Sequence, residues 1–175
     1  MDTSSQLRAT IRDIPDFPKP GILFRDIAPV LANAGLFRAA IGEFAKICRA
    51  AKAEKIAGID ARGFLFGATV AYELGLGFVP VRKKGKLPFH TITQSYDLEY
   101  GSSEVEIHTD AFEAGEKVAL IDDLLATGGT AGAAIKLINQ SGAHVVVAAF
   151  LIELAALGGR KALGDIAATS IVTYS

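Results

Sequence analysis

The sequence predicts an α/β protein built as a single domain on a doubly wound, mainly parallel β-sheet. Four apolar runs rich in β-branched residues recur along its 175 residues, and amphipathic helical patterns lie between them. Strands that are apolar along their whole length are typical of a sheet with helices on both faces. Because no repeat or linker-like stretch divides the chain, we expect residues 1–175 to form one domain.

The strands are predicted where the apolar runs occur, at residues 55–59, 77–81, 117–121 and 145–152, with a weaker fifth run at 166–172. The helices are predicted from apolar residues at helical spacing, over residues 36–48, 64–74 and 130–138. Gly75 and Gly142 follow two of these patterns, as glycine commonly does at the end of a helix. Cys48 and Tyr72 are interpreted as packing residues of their helices.

Two segments depart from this alternation. Residues 12–24 contain Pro15, Pro18 and Pro20, which exclude a long helix and predict an extended arm, or hood, over the core. Residues 83–108 begin with basic side chains and end in an alternating Glu-Val-Glu-Ile run after a turn-like Gly-Ser-Ser sequence. This pattern predicts a solvent-facing hairpin that leaves the sheet.

The composition excludes several classes of protein. With 18 Lys and Arg against 19 Asp and Glu, the net charge of −1 gives no surface-wide attraction for nucleic acid or anionic membranes. A single cysteine excludes an internal disulfide, and His90, His108 and His144 lack metal-ligand spacing and are interpreted as solvated. The longest apolar run, residues 145–152, is far shorter than the roughly 18 residues of a membrane span. We therefore expect a soluble, cytoplasmic protein.

Charged residues directly follow the predicted strands. They are Asp60 and Arg62 after the first, the basic run Arg82 to Lys86 after the second, Asp122 and Asp123 after the third, and Glu153 at the end of the fourth. Ligands of open parallel sheets bind beyond the carboxyl ends of the strands, so we expect these side chains to face one crevice. The alternative is that the charges only mark strand ends.

The segment from Val118 to Thr130 reads as a strand, an acidic pair, a glycine turn and the start of a helix. Gly128 and Gly129 allow backbone N–H groups to converge at the positive end of the helix dipole, which predicts a phosphate-binding turn. Since the segment has neither a Walker A lysine nor a GxGxxG pattern, a nucleoside triphosphatase and a dinucleotide-binding protein are both disfavoured.

The acidic pair indicates what accompanies the phosphate. Asp122 and Asp123 would repel a bound phosphate unless they accept hydrogen bonds from hydroxyls or face a cation. Hydroxyls beside a phosphate describe a sugar phosphate. The alternative, a solvated acidic turn before a helix, is disfavoured by the Thr-Gly-Gly-Thr sequence that follows.

The run VALIDDLLATGGT resembles the phosphoribosyl-pyrophosphate (PRPP) signature of the type I phosphoribosyltransferases. The segments DFPKPGILFRDIAPVL, GIDARGFLFG, RKKGKLP and SYDLEYG narrow the resemblance to the adenine phosphoribosyltransferase family, over about residues 11–160. The resemblance implies the family's fold, with an N-terminal hood segment and a flexible hairpin lid. It is weaker at residues 89–91 and in the C-terminal tail.

The resemblance implies a role for each of two loops. Asp122 and Asp123 would hold the ribose hydroxyls of PRPP, and the turn beside them would hold its 5-phosphate. The residues of this turn are Ala126, Thr127, Gly128, Gly129 and Thr130. A second loop, Asp60, Ala61 and Arg62, would hold the diphosphate through Arg62, with a cis Asp60–Ala61 peptide. Without the family, Arg62 is equally a surface cap.

The lid of the family corresponds to a basic start and an acidic end. Arg82, Lys83 and Lys86 would face the diphosphate, while Glu99 and Tyr100 lie near the other end of the lid. Glu99 would act as the acid or base beside N7 of adenine while the base forms its bond to the sugar. Without the family, the basic run is equally a solvated face and Glu99 one more hairpin carboxylate.

For the base, the resemblance places main-chain groups of Leu23 and Arg25 on the adenine edge, with Phe24 and Leu154 against its faces. Phe24 as an ordinary core residue is the alternative. The implied reaction transfers ribose 5-phosphate from PRPP to N9 of adenine, giving AMP and pyrophosphate in purine salvage. The family also implies a homodimer, and Mg²⁺ held mainly by PRPP or pyrophosphate rather than by a protein metal site.

Two other functions stay open. A PRPP-sensing regulator would keep the phosphate turn and bind nucleic acid, although the net charge of −1 and the absence of a further predicted domain disfavour it. A phosphoribosyltransferase for guanine, hypoxanthine or a pyrimidine would keep the chemistry and change the base.

Overall fold

The computed structural model describes residues 2–97 and 101–175, and within them the chain is an α/β protein with a mostly parallel sheet. The helices are α1 (Thr3–Thr10), α2 (Ala28–Ala32), α3 (Ala34–Ala50), α4 (Arg62–Leu74) and α5 (Gly129–Gln140). The strands are β1 (Arg12–Ile14), β2 (Phe24–Asp26), β3 (Lys55–Ile59), β4 (Gly77–Lys83), β5 (Thr91–Asp97), β6 (Ser102–His108), β7 (Lys117–Leu125), β8 (His144–Leu154) and β9 (Ala168–Tyr174). Two 3₁₀ turns, Ala155–Leu157 and Gly159–Leu163, lie between β8 and β9.

The main sheet has the strand order β5-β6-β4-β3-β7-β8-β9 in the described part of the chain. The five strands from β4 to β9 in this order are parallel, so their carboxyl ends share one edge of the sheet. All five predicted strands are present; β7 runs four residues further than predicted and β8 two. The predicted mainly parallel, doubly wound sheet is confirmed.

The core lies on both faces of the sheet, as expected from the continuously apolar strands. In β7, Val118 and Leu120 pack into the cluster that contains the buried face of α5. Ala119 and Ile121 point to the opposite face and pack into the cluster that contains residues of α3 and α4. Cys48 is fully buried in this second cluster, and burial raises the pKa of its thiol to about 12. The interpretation of Cys48 as a packing residue is therefore confirmed.

The hairpin of β5 and β6 is antiparallel as predicted, but its predicted position outside the sheet is wrong. Arg82 and Lys83 of β4 pair with Glu106 and Val105 of β6, so the hairpin extends the main sheet at its edge. Its predicted solvent-facing character is also wrong for β6. Val105 and Ile107 are buried in the core, and Glu106 is only 3% exposed.

The N-terminal arm has no long helix, as predicted, but it is extended only at its two ends, and its prolines lie in turns and bends between them. β1 and β2 form a small antiparallel sheet of their own, and Phe17 packs edge-on against Phe24 at a ring distance of 5.2 Å. The Phe17–Pro18 peptide is cis. Helix α1, which precedes the arm, is capped by Asp2, whose carboxylate accepts a hydrogen bond from the N–H of Ser5 at 2.8 Å.

Two interpretations of single residues are wrong. Tyr72 is 87% exposed, because it lies on the outer face of α4 while Val70 and Ala71 are buried. His108 is half-buried rather than solvated, and its Nε2 atom has no hydrogen-bond partner among the described residues. No described helix combines the length and the apolar character that crossing a membrane requires.

Candidate functional site

A cleft of about 410 Å³ opens at the carboxyl edge of the parallel strands. It is lined by the end of β3 and the loop after it, by the end of β7 and the start of α5, and by four residues from β4, β5 and β6. These parts contribute residues 59–62, then residues 122–131, then Val81, Lys83, Tyr96 and Val105. The crevice expected from the charged strand ends is therefore present, and it gathers residues from three of the four charged clusters.

The turn between β7 and α5 forms one wall of the cleft. Gly128 has a φ of +81°, in the left-handed region that favours glycine, and it directly precedes α5. No described side chain caps the start of this helix, so the N–H groups of its first turn stay available to a ligand. Together with Thr127 and Thr130, which also line the cleft, these groups make the turn suited to an anion.

The two acidic residues of β7 have different surroundings. An Oδ1 atom of Asp122 accepts a hydrogen bond of 2.8 Å from the backbone N–H of Asp123. The Asp123 carboxylate, in a residue only 5% exposed, instead pairs with Arg62 at 2.8 Å. Burial, followed by the neighbouring Asp123 charge, raises the pKa of Asp122, and burial raises the pKa of Asp123 although Arg62 opposes this.

Arg62 connects the acidic pair with the N-terminal arm. It is the first residue of α4 and follows the Asp60–Ala61 peptide, which is cis as the family resemblance implies. Its guanidinium pairs with Asp123 and lies 5.3 Å from the centre of the Phe24 ring. Arg62 thus lines the cleft as a cation paired with Asp123, and it also contacts the arm beside the cleft through Phe24.

The basic run after β4 is organised by two carboxylates. Arg82 donates to Asp60 at 3.1 Å and to the carbonyl oxygen of Lys86 at 3.0 Å. Glu106 accepts hydrogen bonds of 2.8 and 2.9 Å from the backbone N–H groups of Lys86 and Leu87. Burial alone would raise the pKa of Glu106, but the hydrogen bonds that its carboxylate accepts lower it overall. Of the predicted cations of this run, Lys83 lines the cleft, whereas Arg82 and Lys86 do not.

The predicted base-binding residues lie beside the cleft rather than in its lining. Leu23 is exposed, and Arg25 pairs with Asp13 and lies 3.9 Å from the centre of the Tyr174 ring. Leu154, at the end of β8, is in register with Tyr174 of β9. Phe24 reaches a residue of the cleft through its contact with Arg62.

Glu99 and Tyr100, the predicted residues of the lid, lie outside the described residues. The hairpin strand that leads to them approaches the phosphate-binding turn, because a methyl group on Gly129 would lie 3.4 Å from the Tyr96 ring. Tyr96 is part of the cleft and was not among the predicted site residues. It lies in the SYDLEYG segment, which carries the family resemblance and could have pointed to it.

Comparison with known proteins agrees with this geometry. The family model described as phosphoribosyl transferase domain matches residues 30–171. An adenine phosphoribosyltransferase of Agrobacterium fabrum is 55% identical over 163 residues, which cover 93% of this chain and 91% of that protein. The chain belongs to the adenine phosphoribosyltransferase family. A second adenine phosphoribosyltransferase, from Mesorhizobium japonicum, is 58% identical over 157 residues, or 90% of this chain and 87% of that one.

Solved structures of the adenine phosphoribosyltransferase family have the same fold. The enzyme of Thermoanaerobacter pseudethanolicus superposes with a TM-score of 0.95 at 49% identity, covering 98% of this chain and 99% of that one. The Saccharomyces cerevisiae enzyme, solved with an imino-altritol bisphosphate and adenine, gives a TM-score of 0.93 at 41% identity, covering 97% and 98%. The fold and the family implied by the sequence resemblance are confirmed.

Proposed function

We propose that this protein transfers the 5-phosphoribosyl group of PRPP to N9 of adenine, forming AMP and pyrophosphate in purine salvage. The observation that carries the proposal is that one cleft holds the carboxylate pair of β7, the anion-binding turn that follows it, and a cation from the start of α4. A sugar bearing a phosphate at one end and a diphosphate at the other presents the matching groups in that order. Relatives that are 55% and 58% identical are named as adenine phosphoribosyltransferases.

In the proposed reaction the chain's residues act mainly by holding the two charged ends of PRPP. The turn at residues 126–130 binds the 5-phosphate, and the carboxylate of Asp123 accepts a hydrogen bond from a hydroxyl of the ribose. The bond from the anomeric carbon to the diphosphate breaks with its electron pair leaving on the diphosphate, while the bond to N9 of adenine forms. The transition state resembles an oxocarbenium ion, so cations beside the leaving group stabilise it.

Arg62 is the cation placed for this task. Its guanidinium is held in the cleft by Asp123 at 2.8 Å and lies over Phe24, the predicted face of the adenine site. Lys83, which also lines the cleft, adds a second charge for the diphosphate.

The base site is the part of the proposal that depends most on the family resemblance. Phe24 is half-buried and offers a ring face, and Leu23 and Arg25 beside it offer main-chain groups to the edge of adenine. Glu99 is proposed as the group that exchanges a proton with N7 of adenine, which assists the loss of the N9 proton. Its position rests on the sequence alone.

We also propose that the reaction uses Mg²⁺ bound to the substrate. No group of three or more His, Cys, Asp or Glu residues suited to a metal occurs among residues 2–97 and 101–175. Asp122 and Asp123 provide the hard oxygen atoms that Mg²⁺ prefers, but Asp123 already pairs with Arg62. These residues fit an ion held mainly by diphosphate and ribose oxygens, and the ion would add positive charge at the leaving group.

A homodimer and a cytoplasmic location are further parts of the proposal. Leu65 is exposed on α4, next to a shallow groove of about 420 Å³ lined by Leu31, Phe37 and Phe64. An apolar surface of this kind is suited to a second copy of the chain. Light scattering of the purified protein tests the dimer. The cytoplasm is proposed because PRPP and AMP are intracellular phosphorylated metabolites.

The experiment that tests the function compares bases under one condition. The protein is incubated with PRPP, Mg²⁺ and either adenine, guanine, hypoxanthine or uracil, and nucleotide formation is followed by liquid chromatography. We expect AMP from adenine and little product from the other bases. If only guanine, hypoxanthine or uracil gives a nucleotide, that base and not adenine is the substrate. If no base gives a nucleotide, the hypothesis that the protein is a phosphoribosyltransferase is rejected, and the PRPP-sensing regulator becomes the next candidate.

A further inference from the structure

The second 3₁₀ turn, Gly159–Leu163, touches the phosphate-binding turn backbone to backbone. A methyl group on Gly159 would lie 2.2 Å from the carbonyl oxygen of Ala126, and one on Gly128 would lie 2.2 Å from the carbonyl oxygen of Gly159. Both distances are far inside van der Waals contact, so neither position accepts a side chain without moving the other segment. The contact continues into α5, where a methyl on Gly132 would lie 2.5 Å from the carbonyl oxygen of Ala162.

This contact acts on a peptide group that faces the cleft. The carbonyl of Ala126 points to Gly159, and in a planar trans peptide the N–H of the next residue points the opposite way. The next residue is Thr127, which lines the cleft. The 3₁₀ turn therefore sets both the depth of the phosphate-binding turn and the direction of one N–H group in it.

The 3₁₀ turn is itself held by Arg160. The Nε and Nη2 atoms of Arg160 donate to the two carboxylate oxygens of Glu153 at 2.6 Å each, and Nη1 donates to the carbonyl oxygen of Ala168 at 2.7 Å. Glu153 is 5% exposed and lies in β8, in register with Leu125 at the end of β7. Arg160 thus ties the 3₁₀ turn to the two strands on either side of it, β8 and β9.

We propose that Gly159 and Arg160 are positioning residues for the 5-phosphate of the substrate, an inference that rests on the proposed function and deepens it. Neither residue contacts the phosphate. Gly159 supplies the surface on which the peptide of Ala126 and Thr127 lies, and Arg160 fixes that surface to the sheet. Affinity for the phosphate end of the substrate depends on both residues, whereas affinity for adenine does not.

The test uses two variants, each with a matched control. Gly159→Ala adds one methyl against the Ala126 carbonyl, while Gly42→Ala adds the same methyl in α3, where nothing lies within 4 Å and φ is not positive. Arg160→Ala removes the bidentate pair with Glu153, while Lys161→Ala removes a neighbouring exposed cation. Arg160→Lys keeps the charge without the bidentate geometry.

The readouts separate the phosphate from the base. Binding of ribose 5-phosphate is measured by calorimetry, and KM for PRPP, KM for adenine and kcat are measured by AMP formation. For Gly159→Ala and Arg160→Ala we expect ribose 5-phosphate affinity to fall and KM for PRPP to rise by about tenfold or more, the loss of one charge-assisted hydrogen bond. KM for adenine should stay within about twofold of the value for the unchanged protein. Every readout for the two controls should also stay within about twofold. The ribose 5-phosphate affinity of Arg160→Lys should fall between those of Arg160→Ala and the unchanged protein.

Circular dichroism shows whether each variant is folded. If Gly159→Ala does not fold, the ribose 5-phosphate affinity of Arg160→Ala tests the inference. Folded variants that bind ribose 5-phosphate as tightly as the unchanged protein would overturn the inference. So would an equal loss of adenine and phosphate affinity, or no binding of ribose 5-phosphate by the unchanged protein. If the unchanged protein binds ribose 5-phosphate but forms no AMP, the proposed function fails, and the binding comparison still decides the role of the two residues.

Discussion

Replacing Asp123 by alanine separates catalysis from stability. The Asp123 carboxylate pairs with Arg62 at 2.8 Å inside the cleft and is proposed to accept a hydrogen bond from a hydroxyl of the ribose. Its removal therefore affects both the sugar and the cation that stabilises the leaving group. The fold depends on it little, because burial raises the pKa of this carboxyl and its removal relieves that cost of desolvation.

The size of the effect follows from the hydrogen bonds lost. Each hydrogen bond to a charged group contributes about 1.5–3 kcal/mol, so two of them amount to about 3–6 kcal/mol. Arg62, once released from Asp123, can bind the diphosphate without competition, which offsets part of the loss. We therefore expect the lower end, about 3 kcal/mol, which corresponds to a fall of about 10²-fold in kcat/KM.

The assay is AMP formation from adenine and PRPP, with thermal unfolding measured on the same samples. Asp165→Ala is the matched control, since Asp165 is exposed in the loop before β9. We expect the control to be unchanged, and Asp123→Ala to lose activity with a Tm within a few degrees of the unchanged protein. An Asp123→Ala variant that keeps kcat/KM within about threefold would refute the proposed role of this carboxylate.

Three further predictions concern other parts of the site and the fold. Glu99→Gln should lower kcat and leave PRPP affinity nearly unchanged, as rapid-mixing kinetics and calorimetry can measure; a defect confined to PRPP binding would contradict its role in exchanging a proton with N7 of adenine. Because the pKa of Glu106 is lowered in the folded state, its stabilisation is present above the unfolded pKa of about 4.3 and lost as the pH falls through the folded pKa. The difference in unfolding free energy between the unchanged protein and Glu106→Gln should therefore shrink in urea denaturation at acid pH, and a constant difference from pH 7 to pH 3 would count against this account. Gly63→Ala should lower the free energy of unfolding by about 1–3 kcal/mol, because its methyl would lie 2.8 Å from Oδ1 of Asp122, whereas Gly42→Ala meets nothing within 4 Å; equal melting temperatures for the two variants would show that the acidic pair tolerates displacement.

The sheet could be predicted from the sequence because its central strands are apolar on both faces. Its full extent could not, since the charges of Asp122 and Asp123 look like the end of a strand. In the structure β7 continues through them, because β8 pairs with it as far as Leu125 and Glu153. Main-chain hydrogen bonds thus extend a strand past the point where hydropathy indicates its end.

The hairpin shows a second limit of periodicity. An alternation of glutamate with valine and isoleucine normally means that the charged side chains face solvent. Glu106 is instead buried, and the backbone N–H groups of Lys86 and Leu87 satisfy its carboxylate. These donors belong to a loop about twenty residues earlier in the chain, so no local pattern reveals them.

The candidate site was likewise predictable where its residues are contiguous in the sequence, and not where they come from distant segments. The phosphate-binding turn and its acidic pair are contiguous in sequence, and both were recognisable there. The ion pair of Arg62 with Asp123 and the contact of Gly159 with the turn join segments that are distant in the chain. Pairings of that kind depend on the three-dimensional arrangement of the strands, which no local pattern in the sequence reveals.

The ion pair between Arg62 and Asp123 also affects how strongly the cleft attracts anions. The guanidinium contacts Asp123 through Nε, so an anion bound at its other N–H groups is attracted by the cation and repelled by the carboxylate beside it. The net attraction is therefore smaller than that of an unpaired arginine. We expect a singly charged anion such as chloride to gain little there, and the more highly charged diphosphate of the proposed substrate to gain more.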